Sequence, residues 1–360
     1  MYNLYCGDCL NIMQNMADNS VDSIITDPPY GISFMQKDWD YSVPSVDIWK
    51  ECLRLLKPGG HLLSFAGTRT QHRMAVNIED AGFEIRDMLA WIYGNGLPKS
   101  TDISKTIDKA AGAERKVIGR YRAPDGRDRN YEQWKISNRV NSFNTHTNSQ
   151  KGCPITAPAT EDAKKWSGWG TTLKPSFEPI TMARKPFKGN VVDNLLKYGT
   201  GAINIDDCRI KVEPEDMDKP EFIHEVLGRF PANLIHDGSE DVLSIFPNER
   251  QYSVFRFFYC AKVSKRERNE GCEKLKEKCK ESKQNYHPTV KPVDLMRYLC
   301  KLITPPNGVI LDPFMGSGST GKAALLEHFN FIGIEMNKDY VEIAKCRIEY
   351  VETLLKTQLF

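Results

Sequence analysis

Two short segments, far apart in the chain, contain residues whose types and spacing could do chemistry. Asp27-Pro28-Pro29-Tyr30 follows the β-rich run Val21 to Thr26. Asp312-Pro313-Phe314-Met315-Gly316-Ser317-Gly318 follows the apolar run Val309 to Leu311. Open α/β sheets bind their ligands where strands end in small or turn-forming residues. We therefore interpret both segments as candidates for a functional site.

The second segment first has to be compared with a phosphate-binding loop. Gly316 to Lys322 reads G-x-x-x-x-G-K directly after a predicted strand, as in nucleotide triphosphatases. Ala323 follows Lys322, so the hydroxyl that would hold a magnesium ion is missing, and Phe314 places a bulky ring ahead of the loop. A purely structural turn that needs glycine is the other alternative. The sequence disfavours a triphosphatase.

Together the two segments resemble the signature motifs of the DNA amino-methyltransferases, which act on adenine N6 or cytosine N4. Their order, catalytic motif first and cofactor motif last, resembles the circularly permuted β group of that family. Weaker similarity to phage- and prophage-type members extends through residues 91–100, 197–201 and 229–233. Met315 and Ser319 stand where a smaller residue and Thr are frequent, but the required glycines are present.

The resemblance implies S-adenosylmethionine as the cofactor and no metal. Glycines in the D-P-F-x-G-S-G motif let the backbone approach the cofactor, and the next helix offers N–H groups to its carboxylate. Glu335, at the end of the next predicted strand, stands where a doubly wound fold holds ribose hydroxyls. Residues 7–10 resemble the segment that caps the adenine of the cofactor, and residues 287–292 resemble the family's H-P-T-x-K-P segment. The implied cofactor-binding residues are Asp8, Cys9, Asp27, Thr289, Lys291, Asp312, Pro313, Phe314, Gly316, Ser317, Gly318, Glu335 and Met336.

The first segment suits methyl transfer to an exocyclic amine of a nucleobase. Such an amine is a poor nucleophile because its lone pair is delocalised into the ring. Asp27 and the carbonyl of Pro28 could accept both N–H bonds and localise that lone pair, since two prolines fix φ. Tyr30 offers a flat ring on which an extruded base can stack. We therefore predict that Asp27, Pro28, Pro29 and Tyr30 are catalytic and that transfer is direct, without a covalent enzyme intermediate.

The leading residue of the motif bears on the substrate. Asp27, where Ser would suggest cytosine, favours N6 of adenine in double-stranded DNA, with N4 of cytosine as the alternative. A methyltransferase of RNA or protein and a catalytically idle DNA-binding relative are less favoured classes. The resemblance leaves open a homodimer and a cognate restriction endonuclease as partners.

These motifs need a scaffold, and both ends of the chain read as alternating strands and helices. This alternation predicts an α/β fold with a doubly wound, mainly parallel sheet. The resemblance implies seven strands in a Rossmann-like, circularly permuted order. The strand near residues 4–6 is expected to follow the C-terminal helix in space. The expected strands are 21–26, 61–66, 83–93, 309–311 and 331–334, and the expected helices are 45–56, 71–81, 293–302, 319–327 and 339–351.

The middle of the chain lacks this alternation of strands and helices. We predict a catalytic domain from residues 1–95 plus 286–360 and an inserted, irregular target-recognition region over 96–285, from which a strand near 177–184 returns to the catalytic sheet. From Lys99 to Lys151 there are twelve Lys or Arg against six Asp or Glu, with aromatic residues interleaved. Such a pattern suits a surface that binds phosphates and stacks on bases, although ordinary solvated surfaces share it.

Composition limits which classes of protein the sequence can belong to. With 360 residues, of which 40% are hydrophobic, the chain can form one large core plus an added module. We see no apolar run of membrane-spanning length and no signal peptide, so we expect a protein of the bacterial cytoplasm or of a phage-infected cell. The ten cysteines are scattered, and Cys6 and Cys9 lack the partners of a zinc site, which predicts reduced thiols.

Overall fold

The structure, a computed structural model, describes two compact units. It describes residues 1–32, 40–94, 96, 100–120, 154–210, 228–244, 258–260, 262–273, 275 and 285–357. The first unit contains Met1–Gly94 and Phe177–Phe360, and the second contains Asn95–Ser176. Most of the predicted basic and aromatic run, residues 121–151, lies outside the described residues.

The helices and strands are numbered here in chain order. The strands are β1 Tyr2–Cys6, β2 Val21–Thr26, β3 Leu56–Phe65, β4 Glu84–Ile92, β5 Val117–Arg120, β6 Pro154–Thr156, β7 Phe177–Arg184, β8 Leu234–His236, β9 Phe258–Tyr259, β10 Val309–Asp312 and β11 Asn330–Glu335. The helices are α1 Cys9–Met13, α2 Val46–Leu55, α3 Gln71–Asp80, α4 Ile103–Ala110, α5 Glu161–Lys165, α6 Val191–Tyr198, α7 Glu240–Leu243, α8 Lys265–Asn269, α9 Val293–Ile303, α10 Ser319–Leu326 and α11 Lys338–Thr357.

The first unit is built on one nine-stranded sheet with the order β1-β11-β10-β2-β3-β7-β4-β8-β9. Its pairs are parallel except for β7, which runs antiparallel to both β3 and β4. This confirms the predicted mainly parallel, doubly wound sheet. β7 covers the segment for which the sequence predicts a returning strand. The predicted seven strands are too few, because β8 and β9 extend the sheet beyond β4. Strands of three and two residues give no periodic signal in a sequence.

The central strands are covered on both faces. On one face Ile24 and Leu62 pack with Trp49 of α2, and on the other Ile25 and Leu63 pack with Leu295 of α9. Every residue of β2 is buried. Strands with two buried faces read as continuous apolar runs, which is why β2 is visible in the sequence with its correct bounds.

The N-terminal strand completes the cofactor half of the sheet. β1 pairs with β11 in parallel, in the register Tyr2 to Phe331, and the N–H of Phe331 donates to the carbonyl of Met1 at 3.1 Å. Tyr2 packs against the same core as Tyr350 and Leu355 of α11. The expectation that this strand follows the C-terminal helix in space is confirmed, as the permuted order requires.

The compact second unit is shorter than the insertion that the sequence predicts. The prediction covers 96–285, whereas the unit ends at Ser176, because β7, β8 and β9 hydrogen-bond into the sheet of the first unit. Within the second unit β5 and β6 pair antiparallel. The buried carboxylate of Asp108 accepts hydrogen bonds from Arg115, at 2.6 Å, and from the hydroxyl of Thr160, at 2.8 Å.

The turn between β10 and α10 approaches the closing helix α11 very closely. Gly318 has φ +76°, and a Cβ atom there would lie 2.9 Å from the Cβ of Ala344 and 3.0 Å from its Cα. Both the backbone conformation and the space at this position therefore require glycine.

We expect Gly318→Ala to lower the melting temperature more than Gly189→Ala. Gly189 has a similar φ of +89°, but a Cβ there meets nothing within 4 Å. The control variant should lose only the cost of a left-handed alanine, roughly 1 kcal/mol. Thermal unfolding of both variants measures the difference, and equal losses would show that contact with α11 does not constrain the turn.

Candidate active site

Asp27 lies at the carboxyl end of β2, where both oxygens of its side chain are already bound. Its Oδ1 accepts the hydroxyl of Tyr30 at 2.7 Å, and its Oδ2 accepts the ammonium of Lys291 at 2.5 Å. The ammonium also lies 3.2 Å from the hydroxyl oxygen of Tyr30. Residues that are 264 positions apart in the chain thus meet in one cluster.

The position of Lys291 adds to what the sequence predicts for it. By resemblance it lines the cofactor pocket; in the structure its buried ammonium contacts the catalytic candidate Asp27. Thr289, in the same loop before α9, donates its N–H to Nδ1 of His287 at 3.4 Å. The loop therefore connects the predicted cofactor segment to the predicted catalytic segment.

Glu178 of β7 completes this cluster, and sequence reasoning missed it. Its Oε2 lies 3.2 Å from the ammonium of Lys291 and accepts the Tyr30 hydroxyl at 3.2 Å, while its Oε1 accepts the Tyr93 hydroxyl at 3.2 Å. Because β7 is antiparallel to its neighbours, its first residues lie at the edge where β3 and β4 end. Only the direction of β7 would have placed Glu178 at the site. The sequence does not reveal strand direction, so it held no signal for this residue.

Burial and mutual attraction set the protonation of the cluster. Burial raises the pKa of Asp27 above its ordinary value, an effect that Lys291 opposes and Glu178 adds to. For Lys291 burial is the largest influence and lowers the pKa, but the two carboxylates outweigh it and leave the pKa raised. Burial, then the charges of Asp27 and Glu178, raise the pKa of Tyr30 well above its ordinary value, so its hydroxyl stays a donor.

A second carboxylate fixes the backbone of the catalytic segment. Asp40, which is buried, accepts the N–H groups of Tyr30 at 2.6 Å, Gly31 at 2.9 Å and Ile32 at 3.3 Å. The hydroxyl of Thr70 donates to the carbonyl of Tyr30 at 2.5 Å. Nothing in the sequence around Asp40 marks this role, since the contacts join residues that are eight to ten positions apart in the chain.

Asp312 holds the strand ends and the helix start that form the site. Its Oδ1 accepts the hydroxyl of Thr26 at 2.7 Å and the N–H of Phe314 at 3.1 Å, and its Oδ2 accepts the hydroxyl of Thr320 at 2.6 Å. Burial raises the pKa of Asp312 to about 7, although these three hydrogen bonds lower it. The carboxylate thereby joins the ends of β2 and β10 and the start of α10.

The glycine-rich turn has no room for a side chain at Gly316. Gly316 has φ +53°, and a Cβ there would lie 2.8 Å from Nε2 of His287. The N–H of Gly316 donates to Oε2 of Glu335 at 2.9 Å, and the N–H of Asn337 donates to Oε1 at 2.8 Å. Met336 is 63% exposed beside this carboxylate. A bare backbone turn with an acidic residue at the next strand end fits a nucleoside cofactor.

The other predicted cofactor residues lie around this turn or help to build it. Ser317 is buried, and its carbonyl accepts the guanidinium of Arg347 at 2.7 Å. Phe314 contacts Trp49, with ring centroids 6.5 Å apart, and Pro313 precedes it in the turn. Asp8 caps α1 by accepting the N–H of Asn11 at 3.0 Å, and Cys9 is buried behind it.

The phosphate-loop alternative finds no support in the position of its lysine. Lys322 is buried and forms an ion pair with Glu270, and its ammonium lies 5.7 Å from the ring centroid of Tyr350. Its ammonium is therefore already paired with a carboxylate. Among the described residues, no group of three or more His, Cys, Asp or Glu side chains could hold a metal ion. No described helix is both long and apolar enough to span a membrane.

Comparisons with known proteins identify relatives along nearly the whole chain. A family model described as DNA methylase matches residues 21–346. The Type II methyltransferase M.HindIII of Haemophilus influenzae is 24% identical over 391 aligned residues, covering 96% of this chain and 94% of that protein. The Type II methyltransferase M.BglII of Bacillus subtilis is 21% identical, covering 95% of this chain and 67% of that protein.

Two solved structures align with most of this chain at low sequence identity. The complex of M1.HpyAVI with S-adenosylmethionine has a TM-score of 0.46 and 20% identity, covering 97% of this chain and 99% of that one. The cytosine-N4-specific PvuII DNA methyltransferase has a TM-score of 0.49 and 15% identity, covering 98% and 90%. The family model spans most of the sequence, both motifs included, and shows that this chain belongs to the N6/N4 DNA methylase family, whose methyl donor is S-adenosylmethionine.

Proposed function

We propose that this methyltransferase modifies the N6 amine of an adenine that is flipped out of double-stranded DNA. The observation that carries the proposal is the partly buried carboxylate of Asp27, held at the carboxyl end of β2 by Tyr30 and Lys291. β10, whose end opens into the glycine-rich turn, is the neighbouring strand. The catalytic and cofactor segments therefore both lie at the carboxyl ends of adjacent strands, where α/β folds bind ligands.

The residues of the cluster have separate tasks in the proposed reaction. S-adenosylmethionine, when bound, supplies an electrophilic methyl group, and the candidates to hold it are Gly316, Gly318 and Glu335. Asp27 and the carbonyl of Pro28 accept the two N–H bonds of the amine and direct its lone pair outward. Asp40 holds the backbone N–H groups after Pro29, so these acceptors do not have to reorganise during the reaction.

The choice of adenine rests on the leading residue of the motif. Asp27 carries a full charge that can accept an amine hydrogen strongly, whereas a serine hydroxyl, as in relatives that methylate cytosine, is a neutral partner. The raised pKa of Asp27, caused mainly by burial, makes it a better acceptor of the hydrogen than an exposed aspartate.

Product analysis tests this function directly. DNA that lacks modified bases is incubated with the protein and isotopically labelled S-adenosylmethionine, then digested and analysed by mass spectrometry. We expect labelled N6-methyladenine from the wild type and none from Asp27→Asn, while both bind the cofactor in calorimetry. Asp47→Asn, whose exposed side chain pairs with Lys50, is the matched control and should retain full activity. N4-methylcytosine as the product, or activity in Asp27→Asn, would refute the proposal.

We further propose that the second unit contributes to DNA binding. Trp166 and Trp169 form an edge-to-face pair with centroids 5.1 Å apart, and Trp169 is 61% exposed. The ammonium of Lys165 lies 5.8 Å from the ring centroid of Trp166. Exposed aromatic rings beside a cation are the elements with which proteins stack on bases and neutralise phosphates.

The salt dependence of binding measures this contribution. For Lys165→Gln we expect weaker DNA binding and a slope of log affinity against log salt that is smaller by about 1, the value for one lost phosphate contact. Lys356→Gln on α11, where Lys356 pairs with Glu352, is the control and should keep the wild-type slope. An unchanged slope in Lys165→Gln would remove this residue from the DNA contact.

A further inference from the structure

Lys291 has two carboxylate partners, although one would suffice for an ion pair. Its ammonium lies 2.5 Å from Oδ2 of Asp27 and 3.2 Å from Oε2 of Glu178. We call these three residues the Asp27–Lys291–Glu178 cluster. Two carboxylates and one ammonium leave the cluster with one net negative charge when all are ionised. Burying an excess charge is costly, so a function for it has to be sought.

Methyl transfer to an amine supplies a reason for this charge. The bond from nitrogen to the methyl carbon forms while the carbon–sulfur bond breaks and its electron pair goes to sulfur. Positive charge therefore moves from the sulfonium to the amine nitrogen, which then releases one proton to solvent. A negative cluster beside the amine stabilises the developing charge, whereas a neutral Asp27–Lys291 pair would do so far less.

Resting on the proposed amino-methylation, we infer that Glu178 is a positioning residue that shares Lys291 and keeps the cluster anionic, so that Asp27 stays a strong acceptor. Glu178 does not need to touch the substrate for this. It acts through Lys291, which pairs with Glu178 as well as with Asp27. It also acts through Tyr30, whose hydroxyl lies 2.7 Å from Asp27 and 3.2 Å from Glu178.

The surroundings of Glu178 hold it in this position. The hydroxyl of Tyr93, at the end of β4, donates to its Oε1 at 3.2 Å. The ammonium of Lys262, beyond β9, lies 3.2 Å from the ring centroid of Tyr93. The charge of Asp237, beyond β8, also acts on Tyr93. Among the described residues, Tyr30, Tyr93 and Lys291 contact Glu178 directly, Asp27 shares Lys291 with it, and Lys262 and Asp237 act on it through Tyr93.

The inference predicts a shift in pH dependence whose sign follows from these charges. The negative charge of Glu178 helps to raise the pKa of Asp27. Removing that charge lowers the pKa, so Asp27 stays ionised to a lower pH. The acidic limb of the rate profile of Glu178→Gln should therefore move to lower pH while its plateau falls. A variant that merely loosened the site would lose rate without this shift.

The test measures single-turnover methyl transfer into unmodified DNA between pH 5 and 9, with labelled S-adenosylmethionine. For Glu178→Gln we expect a plateau reduced by at least about tenfold, less than the roughly hundred- to thousandfold loss of a group that contacts the reacting atoms directly, with unchanged cofactor affinity in calorimetry. Glu178→Asp keeps the charge and should recover much of the rate. Glu84→Gln, which removes a carboxylate paired with Arg184 at the other end of β7, is the control and should match the wild type.

Several outcomes would overturn the inference. A wild-type plateau in Glu178→Gln, or an acidic limb that does not move, would show that the charge of Glu178 is not used. If Glu178→Gln fails to fold, Glu178→Asp decides: a loss as large as that of Asp27→Asn would contradict a role of charge. A wild-type protein that methylates no DNA would overturn the proposed function and this inference together, whereas an active wild type confines a failure to Glu178.

Discussion

The ion pair between Lys291 and Asp27 is the contact on which the site depends. It joins the loop before α9 to the end of β2 across 264 residues of sequence, at 2.5 Å, with 8% of the Lys291 side chain and 18% of the Asp27 side chain exposed. A buried ion pair is favourable only where further hydrogen bonds compensate for lost hydration. Tyr30 and Glu178 provide those bonds, so the residues that stabilise the pair are also those that we propose to surround the reacting amine.

The sheet explains why this pair can form at all. β2 and β10 are adjacent at the centre of the sheet, with Ser23 opposite Ile310 and Ile24 opposite Leu311. Thr26 and Asp312, the last residues of the two strands, hydrogen-bond at 2.7 Å. From these two strands the chain order runs outward in opposite directions, from β10 to β11 on one side and from β2 to β3 on the other. Doubly wound folds bind ligands at such a switch point. The permuted chain order leaves this edge intact, because β1 takes its place beside β11.

The sequence predicts those parts of the structure that depend on local pattern. β2 is recognisable because both of its faces are buried, and the turn after β10 because its glycines adopt positive φ. Asp27 and Lys291 could be named from their motifs, but their contact could not, since it depends on the loop before α9. Glu178 escaped prediction because its place at the site follows from the antiparallel direction of β7. Asp40 did so because its contacts with the N–H groups of Tyr30 and Gly31 exist only in the folded structure.

A double-mutant cycle on unfolding free energy tests the central role of the pair most directly, with Asp27→Asn, Lys291→Met and the combined variant. Lys291→Met leaves the carboxylates of Asp27 and Glu178 without their shared cation, whereas Asp27→Asn leaves Lys291 paired with Glu178. In the combined variant Glu178 alone lacks its cation, so the repulsion between two carboxylates that Lys291→Met creates is absent. We expect a coupling energy of more than about 1 kcal/mol, as for residues in one buried network. Additive effects within the usual error, roughly 0.3–0.5 kcal/mol for independent sites, would show that the two halves of the sheet do not depend on this contact.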